Sequence, residues 1–544
     1  MRRIETQVIV IGGGATGAGV LRDLSLRGVK AVLVEKNDLA SGTTGRNHGL
    51  LHSGGRYAVN DQESARECIQ ENKILRKIAH HCIEDTGGLF ITLPEDDAAY
   101  HAKLLDGCAL AGIEAEEISP EQAMLLEPNL NPDITAAIKV PDGTIDPFRL
   151  TAANVLDAKE RGGQALTHTN VTGLIRRATR IIGVEAYDKH NEERLEIYAP
   201  LTINASGVWG QAVCQTADIA ITMFPSKGSM VIIDYRINRI VVNRCRKPSD
   251  GDILVPGDTV SLIGTTSRKI DYDRIDETIV DDDEIEVLLT DGEKLIPNMS
   301  QTRVLRAYCG VRPLLASEPK ASGREISRGI NLLDHQERDG VEGLLTIAGG
   351  KLMTYRLMAE MTVDMACQRL GVKKPCRTDT TPLPGSEKKV PSRRKVSKFS
   401  GIAESVVGST HYRHGERVHG ILGRDPDGYG LICECEMVTA GEVKYALENL
   451  QVNDLVDLRR RTRVGMGPCQ GEICAYRAAG LFMGLGKAQG PEASKMLIDF
   501  LEERFKGVRP VLWGDGLREI EFTYWIYQGL FRISDLIHPE EDES

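Results

Sequence analysis

The stretch from Gln7 to Glu35, QVIVIGGGATGAGVLRDLSLRGVKAVLVE, decides the fold. A short apolar run, Val8 to Ile11, stops at a glycine-rich turn. A helical pattern then runs to Gly28, and a second β-rich run, Ala31 to Val34, ends in Glu35. The spacing predicts a strand, helix, strand unit with a dinucleotide fingerprint. Gly12 permits the tight turn, Gly14 lets the backbone approach a pyrophosphate, and Gly17 lets helix and strand pack closely. The helix N-terminus offers free N–H groups to phosphates. Glu35 follows at about the 20-residue offset of an acid that accepts from a ribose hydroxyl.

Three further strings complete such a site. SGTTGRNHGLLHSGGRYAV (Ser41 to Val59) alternates small, hydroxyl and glycine residues. Ser41, Thr43 and Thr44 can hydrogen-bond phosphates there, and the glycines let backbone lie against a flat ring; a glycine-rich surface loop is the plainer reading. In LTINASGVW (Leu201 to Trp209) an apolar strand stops at Ala205, Ser206 and Gly207, which present almost no bulk. LLTIAGGKLMTYRLMAEMTVDMA (Leu344 to Ala366) repeats the strand, glycine pair, helix design and sets Gly349 and Gly350 beside a ring or phosphate.

Between these strings the pattern changes. Asp61 to Leu126 reads as helices around a short strand, Gly88 to Leu93. Phe224 to Arg312 reads as short β runs separated by turns, an antiparallel sheet inserted between the ligand-binding parts. The return from that sheet is basic, with Arg303, Arg306, Arg312 and Arg328. A guanidinium fork suits a phosphate or carboxylate, so an anionic small substrate is the sharp expectation and salt bridges to nearby acids the alternative.

The chain has 544 residues, roughly three to four domains' worth, with 41% hydrophobic and 27% charged residues. The net charge of −11 argues against nucleic acid as a partner. No run of about 18 apolar residues occurs, and MRRIETQ lacks the apolar core of a secretion signal, so a cytosolic chain, at most peripheral to a membrane, is expected.

Eight of the twelve cysteines are scattered singly and read as buried thiols of a reducing compartment. The other four, Cys433, Cys435, Cys469 and Cys474, form two close pairs after a Pro/Lys/Ser-rich segment, Pro375 to Ser400, that reads as a linker. Two tight thiolate pairs make a closed metal-binding set. CxC and CxxxxC depart from zinc-ribbon spacing, and an iron–sulfur cluster also takes four cysteines. Between the pairs, Arg459, Arg460, Arg461 and Arg463 read as a charge-offsetting group, a docking surface or a solvated helix face. The tail beyond Pro491, rich in Trp and Tyr, reads as a docking helix pair.

The strings VIGGGATGAGVLRDLSLRG, HSGGRY, NASGVW, GTTS, GVRPL and GGKLMTYR, in this order, resemble the FAD-dependent glycerol-3-phosphate dehydrogenases of the glycine/D-amino-acid oxidase superfamily. The four-cysteine segment is similar to the bacterioferritin-associated-ferredoxin-like (BFD-like) module that binds [2Fe-2S]. An FAD domain followed by this module resembles the large subunits of the anaerobic branch. The resemblance implies an α/β, Rossmann-like FAD-binding fold with an inserted antiparallel-sheet substrate domain. Its FAD-binding parts would lie at about 1–85, 145–223 and 325–370, with substrate parts at about 86–144 and 224–324. A linker (376–408), a [2Fe-2S] domain (409–485) and a helical tail (486–544) would follow.

It further implies oxidation of sn-glycerol 3-phosphate to dihydroxyacetone phosphate, with electrons passing through partner subunits B and C to menaquinone at the cytoplasmic face of the inner membrane. FMN is a further cofactor of the assembled complex to consider. Carried over by position, Arg56, Arg312 and Arg328 hold the phosphate and hydroxyls, with Lys351 and Thr354 near the flavin. Relatives of the aerobic type carry a histidine in a KGSH string, but here the string ends in Met230, whose thioether cannot take a proton. His52 is the substitute base, in the flavin-side loop. The competing readings are a flavin-dependent amine or amino-acid oxidase and an electron-transfer flavoprotein without a substrate.

Overall fold

The computed structural model describes residues 2–315, 329–388, 401–423 and 426–533. Its organising element is a six-stranded sheet in the order Gln164–Leu166, Ala31–Val34, Val8–Ile11, Leu201–Asn204, Leu344–Gly349, Ile330–Asp334. All neighbours are parallel except the last pair. The central strands are buried along their whole length, as parallel strands covered on both faces must be. On one face the helix Ala15–Leu26 packs between Pro147–Glu160 and Tyr355–Leu370, and Val10, Leu21, Leu33, Val155, Ile347 and Val363 share the core there. The other face meets a four-stranded sheet ending in Thr169–Arg177.

Buried ion pairs fix these helices. Arg22 lies 2.7 Å from Asp157, and Arg356 holds Glu71 at 2.5 Å. The second large sheet is mixed rather than antiparallel, because Val241–Arg244 runs parallel to Gly88–Thr92. Its two long strands, Met223–Ile233 and Val304–Leu315, pair antiparallel over nearly their full length. A helix absent from the sequence reading, Asp282–Leu295, covers this sheet through Ile285 and Leu288. It begins with a capping box at Asp281 and Glu284, the signal that a charge-rich stretch conceals.

The expected linker is partly structure. Leu383 is buried against Leu75 and Tyr355, and a helix, Glu404–His414, starts inside the range assigned to it. The tail does not stand apart either. The helix Gly490–Val508 places Leu497, Phe500 and Leu501 in one core with Cys433, Cys474 and Phe482, and Val511 reaches the core of the second sheet.

Candidate functional site

A cavity of about 440 Å³ opens at the C-terminal ends of the parallel strands, the place where open α/β sheets bind ligands. It is lined by Gly12, Gly14, Glu35, Ser41, Thr43 and Thr44, by Ala205, Gly207, Gly349, Gly350 and Lys351, and by His48, His52, Tyr57, Met230, Thr265 and Arg312. Strands and helix termini thus gather four sequence-distant strings around one space.

The residues test well as an FAD site. The helix Ala15–Leu26 starts at Gly14 without a side-chain cap, so its first turn still offers N–H groups. A Cβ on Gly14 would meet only the Thr44 hydroxyl, at 3.0 Å, whereas a Cβ on Gly17 would run into the Gly12 carbonyl. Space at Gly14 is therefore open to the cavity, and space at Gly17 is taken by helix–strand packing, which keeps Gly17 out of the lining. Glu35 accepts from the Gly13 N–H at 2.6 Å and the Asn37 N–H at 2.9 Å. Burial raises its carboxyl above the ordinary value despite those donors.

Thr43 and Thr44 line the cavity with hydroxyls already engaged: Thr43 donates to the Val311 carbonyl at 2.5 Å, and Thr44 accepts from the Ala15 N–H at 3.0 Å. Thr354 is buried outside the lining and caps its own turn, accepting from the Lys351 N–H at 3.0 Å. Lys351 donates to Ser64 Oγ at 2.9 Å, with its ammonium 4.9 Å from the centre of the Tyr57 ring.

Arg312 lies across its neighbouring strand. Its guanidinium donates to the Thr265 hydroxyl at 2.7 Å, the Thr266 carbonyl at 2.9 Å and the Lys227 carbonyl at 3.2 Å. Gly228 makes this possible, since a Cβ there would strike the guanidinium. The long strands pair Gly228 with Gly310, and both line the cavity. Sequence reasoning passed over this pair, although KGSM and YCGVRP carried the signal.

The His52 ring stands 5.6 Å from Tyr57 and 6.3 Å from His48, centre to centre. Arg56 is not among the residues lining the cavity, and its guanidinium donates to Asp252 at 2.9 Å and the Ser249 carbonyl at 3.2 Å. A buried carboxylate claims it, and neighbouring residues in sequence could not reveal that. Arg328 lies outside the described residues.

The four cysteines do come together. The sulfurs of Cys435 and Cys469 are 3.6 Å apart, and Cys433 and Cys469 each contact both Cys435 and Cys474. Those contacts hold Cys433 near 3 and Cys469 near 2, far below an ordinary thiol, and push Cys435 and Cys474 up. A tetrahedral ion with bonds of about 2.3 Å would need every sulfur pair at roughly 3.8 Å. Among the described residues the only set of three or more ligand atoms mutually within 4.8 Å is His168, Asp454 and Asp457. The four sulfurs therefore do not gather around one tetrahedral point, and they supply the four thiolates that an iron–sulfur cluster takes.

Nor are the arginines between the two cysteine pairs a solvated face. Arg461 is buried on Asp38, which Arg460 also reaches at 2.9 Å. Arg463 binds Asp258 at 2.8 Å and Glu436 at 3.0 Å. His168 adds a link, 3.1 Å from Asp457. The cysteine loops also dock on the second sheet, where Thr259 donates to Glu436 at 2.7 Å and Arg303 to the Pro468 carbonyl at 3.0 Å.

A dinucleotide cavity on this sheet together with a four-sulfur module defines an FAD-dependent oxidoreductase carrying a [2Fe-2S] centre. The family model described as FAD dependent oxidoreductase matches residues 7–356, and that described as BFD-like [2Fe-2S] binding domain matches residues 431–483. The chain belongs to the family of anaerobic glycerol-3-phosphate dehydrogenase A subunits. It is 58% identical over 526 residues to that subunit of Escherichia coli K12, covering 97% of each chain. It is 53% identical over 542 residues to that of Haemophilus influenzae, covering 99% of this chain and 96% of the relative. The structure of glycerol-3-phosphate dehydrogenase from Bacillus halodurans complexed with FAD superposes with a TM-score of 0.71 at 24% identity, over 94% of this chain and 96% of that one, and supports the fold.

Proposed function

We propose that this chain oxidises sn-glycerol 3-phosphate to dihydroxyacetone phosphate and passes the electrons, through its iron–sulfur centre and partner subunits B and C, to a quinone. The observation that carries the reading is the pairing of a fixed guanidinium, that of Arg312, with a flavin-type cavity that His52, Tyr57 and Met230 also line. FAD, when bound along Gly12, Gly14, Glu35, Ala205, Gly207, Gly349 and Gly350, supplies a two-electron hydride acceptor.

The chain's own residues do the rest. Arg312, immobilised by Thr265, Thr266 and Lys227, fixes the phosphate so that the C2 hydrogen faces the flavin side of the cavity. His52 takes the proton of the C2 hydroxyl as the C2–H bond breaks, because Met230 offers no basic atom at the position where aerobic relatives carry histidine. Lys351 keeps positive charge beside the cavity. An amino-acid oxidase would place a carboxylate rather than a phosphate on Arg312.

No helix among the described residues is long and apolar enough to cross a membrane, so attachment to the cytoplasmic face of the inner membrane would come through the partners. Anaerobic titration of the purified holo chain with glycerol 3-phosphate, following loss of flavin absorbance, tests the reading. Bleaching by glycerol 3-phosphate and not by amino acids is expected; the reverse order would replace it with the oxidase.

A further inference from the structure

The face of the molecule beside the sulfur site is unlike the rest of its surface. The helix Asp515–Trp525 and the turn Ile526–Leu530 are anchored through one side only. Tyr527 donates to the Glu472 carbonyl at 2.9 Å, Thr523 hydrogen-bonds Glu472 and accepts from Arg504 at 3.0 Å, and Arg504 also reaches the Cys469 carbonyl at 3.4 Å. These contacts tie the helix to the loop between Cys469 and Cys474. Its other side carries Leu517 (53% exposed), Phe522 (58%), Trp525 (61%) and Leu530 (75%). Ile473, inside the cysteine loop, is also exposed. Contiguous large apolar residues of this kind mark an interaction site, whereas single ones do not.

Burial at the sulfur site is asymmetric in the same sense. Cys433 and Cys474 are buried, and Cys435 and Cys469 are only half-buried. Of the two half-buried cysteines, Cys469 begins the loop that the aromatic helix holds. Charge selects the occupant. On the helix Glu519 is met by Arg303 at 3.2 Å and Asp515 by Arg518 at 3.5 Å, which leaves Glu521 as the acid beside the apolar residues that no ion pair among the described residues neutralises. Such a face is repelled by an anionic lipid surface and by a second copy of itself, and it suits a protein with an apolar groove and a basic rim.

We infer that the Leu517, Phe522, Trp525 and Leu530 face is the docking surface for the electron-accepting partner protein, placed so that the partner covers the Cys435 and Cys469 edge. The inference rests on the electron-exit reading proposed above. Each substrate molecule releases two electrons, and the partner's own redox centre takes them one at a time across this contact.

The test uses the full-length holo chain and the double variant Phe522→Ser/Trp525→Ser. Both are titrated with purified partner subunits B and C and assayed for glycerol 3-phosphate oxidation with a small dye. The variant should bind the partner at least tenfold more weakly while dye reduction stays at the parent rate. Glu521→Lys, which leaves the apolar face intact, should weaken binding severalfold, with the loss smaller at high salt. Equal partner affinity in parent and double variant overturns the assignment. So does loss of binding to phosphatidylglycerol vesicles or of self-association with the partner affinity unchanged, since the face would then serve a membrane or a second copy. Truncation after Ile533 that exposes Trp525 to acrylamide quenching without altering partner affinity assigns the face to the chain's own tail. Failure of glycerol 3-phosphate to reduce the flavin would sink the proposed reaction but leave the binding comparison readable.

Discussion

The two cofactor sites are built by opposite means. The flavin cavity is made largely of missing side chains: Gly12, Gly14, Gly207, Gly349 and Gly350 clear a path along it. The sulfur site is made of four added side chains on two loops, held by ion pairs to residues hundreds of positions away. A site made by subtraction fails when bulk is added. A site made by addition fails when one group is removed. The contrast yields tests of decreasing effect.

The largest effect belongs to the sulfur site. Cys469→Ser should abolish turnover with the partner subunits and quinone while anaerobic flavin reduction by glycerol 3-phosphate persists, because no cysteine lines the flavin cavity. Stoichiometric zinc and no reducible iron signal in the protein as purified under anaerobic conditions would remove the electron-exit role.

Next comes added bulk. Gly14→Val should give folded, flavin-free protein, measured by circular dichroism and flavin absorbance, while Gly17→Val should not fold, since its side chain would collide with the Gly12 carbonyl. Equal behaviour of the two variants would erase the distinction between ligand space and packing space.

Smaller still, Arg312→Ala should raise KM and lower kcat, together costing about 10²-fold in kcat/KM through lost binding and orientation. Unchanged kinetics would move the phosphate elsewhere.

At the junction of the two regions, Asp38→Ala should cost roughly 3–5 kcal/mol, because it strands the buried Arg461. Proteolysis between the modules and the denaturation midpoint would register it.

The smallest effect is a pH dependence at the same junction. Burial opposes charge on His168, yet its hydrogen bond to Asp457 leaves its pKa raised above the ordinary 6.5. Its contribution is therefore fully present below pH 6.5 and is lost as pH rises through the raised value. Asp454 and Asp38 face the same imidazole, and His190 stacks on it at 4.4 Å. Module separation should increase a few-fold on the alkaline side in the parent and be insensitive to pH in His168→Ala.

The same contrast explains what was legible in the sequence. Gly12, Gly14, Gly17 and Glu35 could be read because a βαβ unit is local: its turn, helix and acid lie within one short stretch. The cysteine pairs could be read because spacing and residue type are themselves the chemistry. Arg56, Arg461 and Arg463 could not, because their partners Asp252, Asp38 and Asp258 are brought to them only by the fold. A guanidinium aimed at substrate and one sealing an interface look alike in one dimension. The helix Asp282–Leu295 is hidden for a related reason: its charged first turn falls among β-rich runs and reads as one more turn between them.

Asp38 carries one more consequence. It stands three residues after Glu35 in the loop that leads to Ser41, and Arg460 and Arg461 grip it from the far module. The iron–sulfur module therefore braces the segment that shapes the nucleotide end of the cavity. In the history of such a gene, the second module could not be swapped as an independent cassette. A replacement would have to bring its own pair of arginines for that aspartate, or the loop it steadies would have to be rewritten with it.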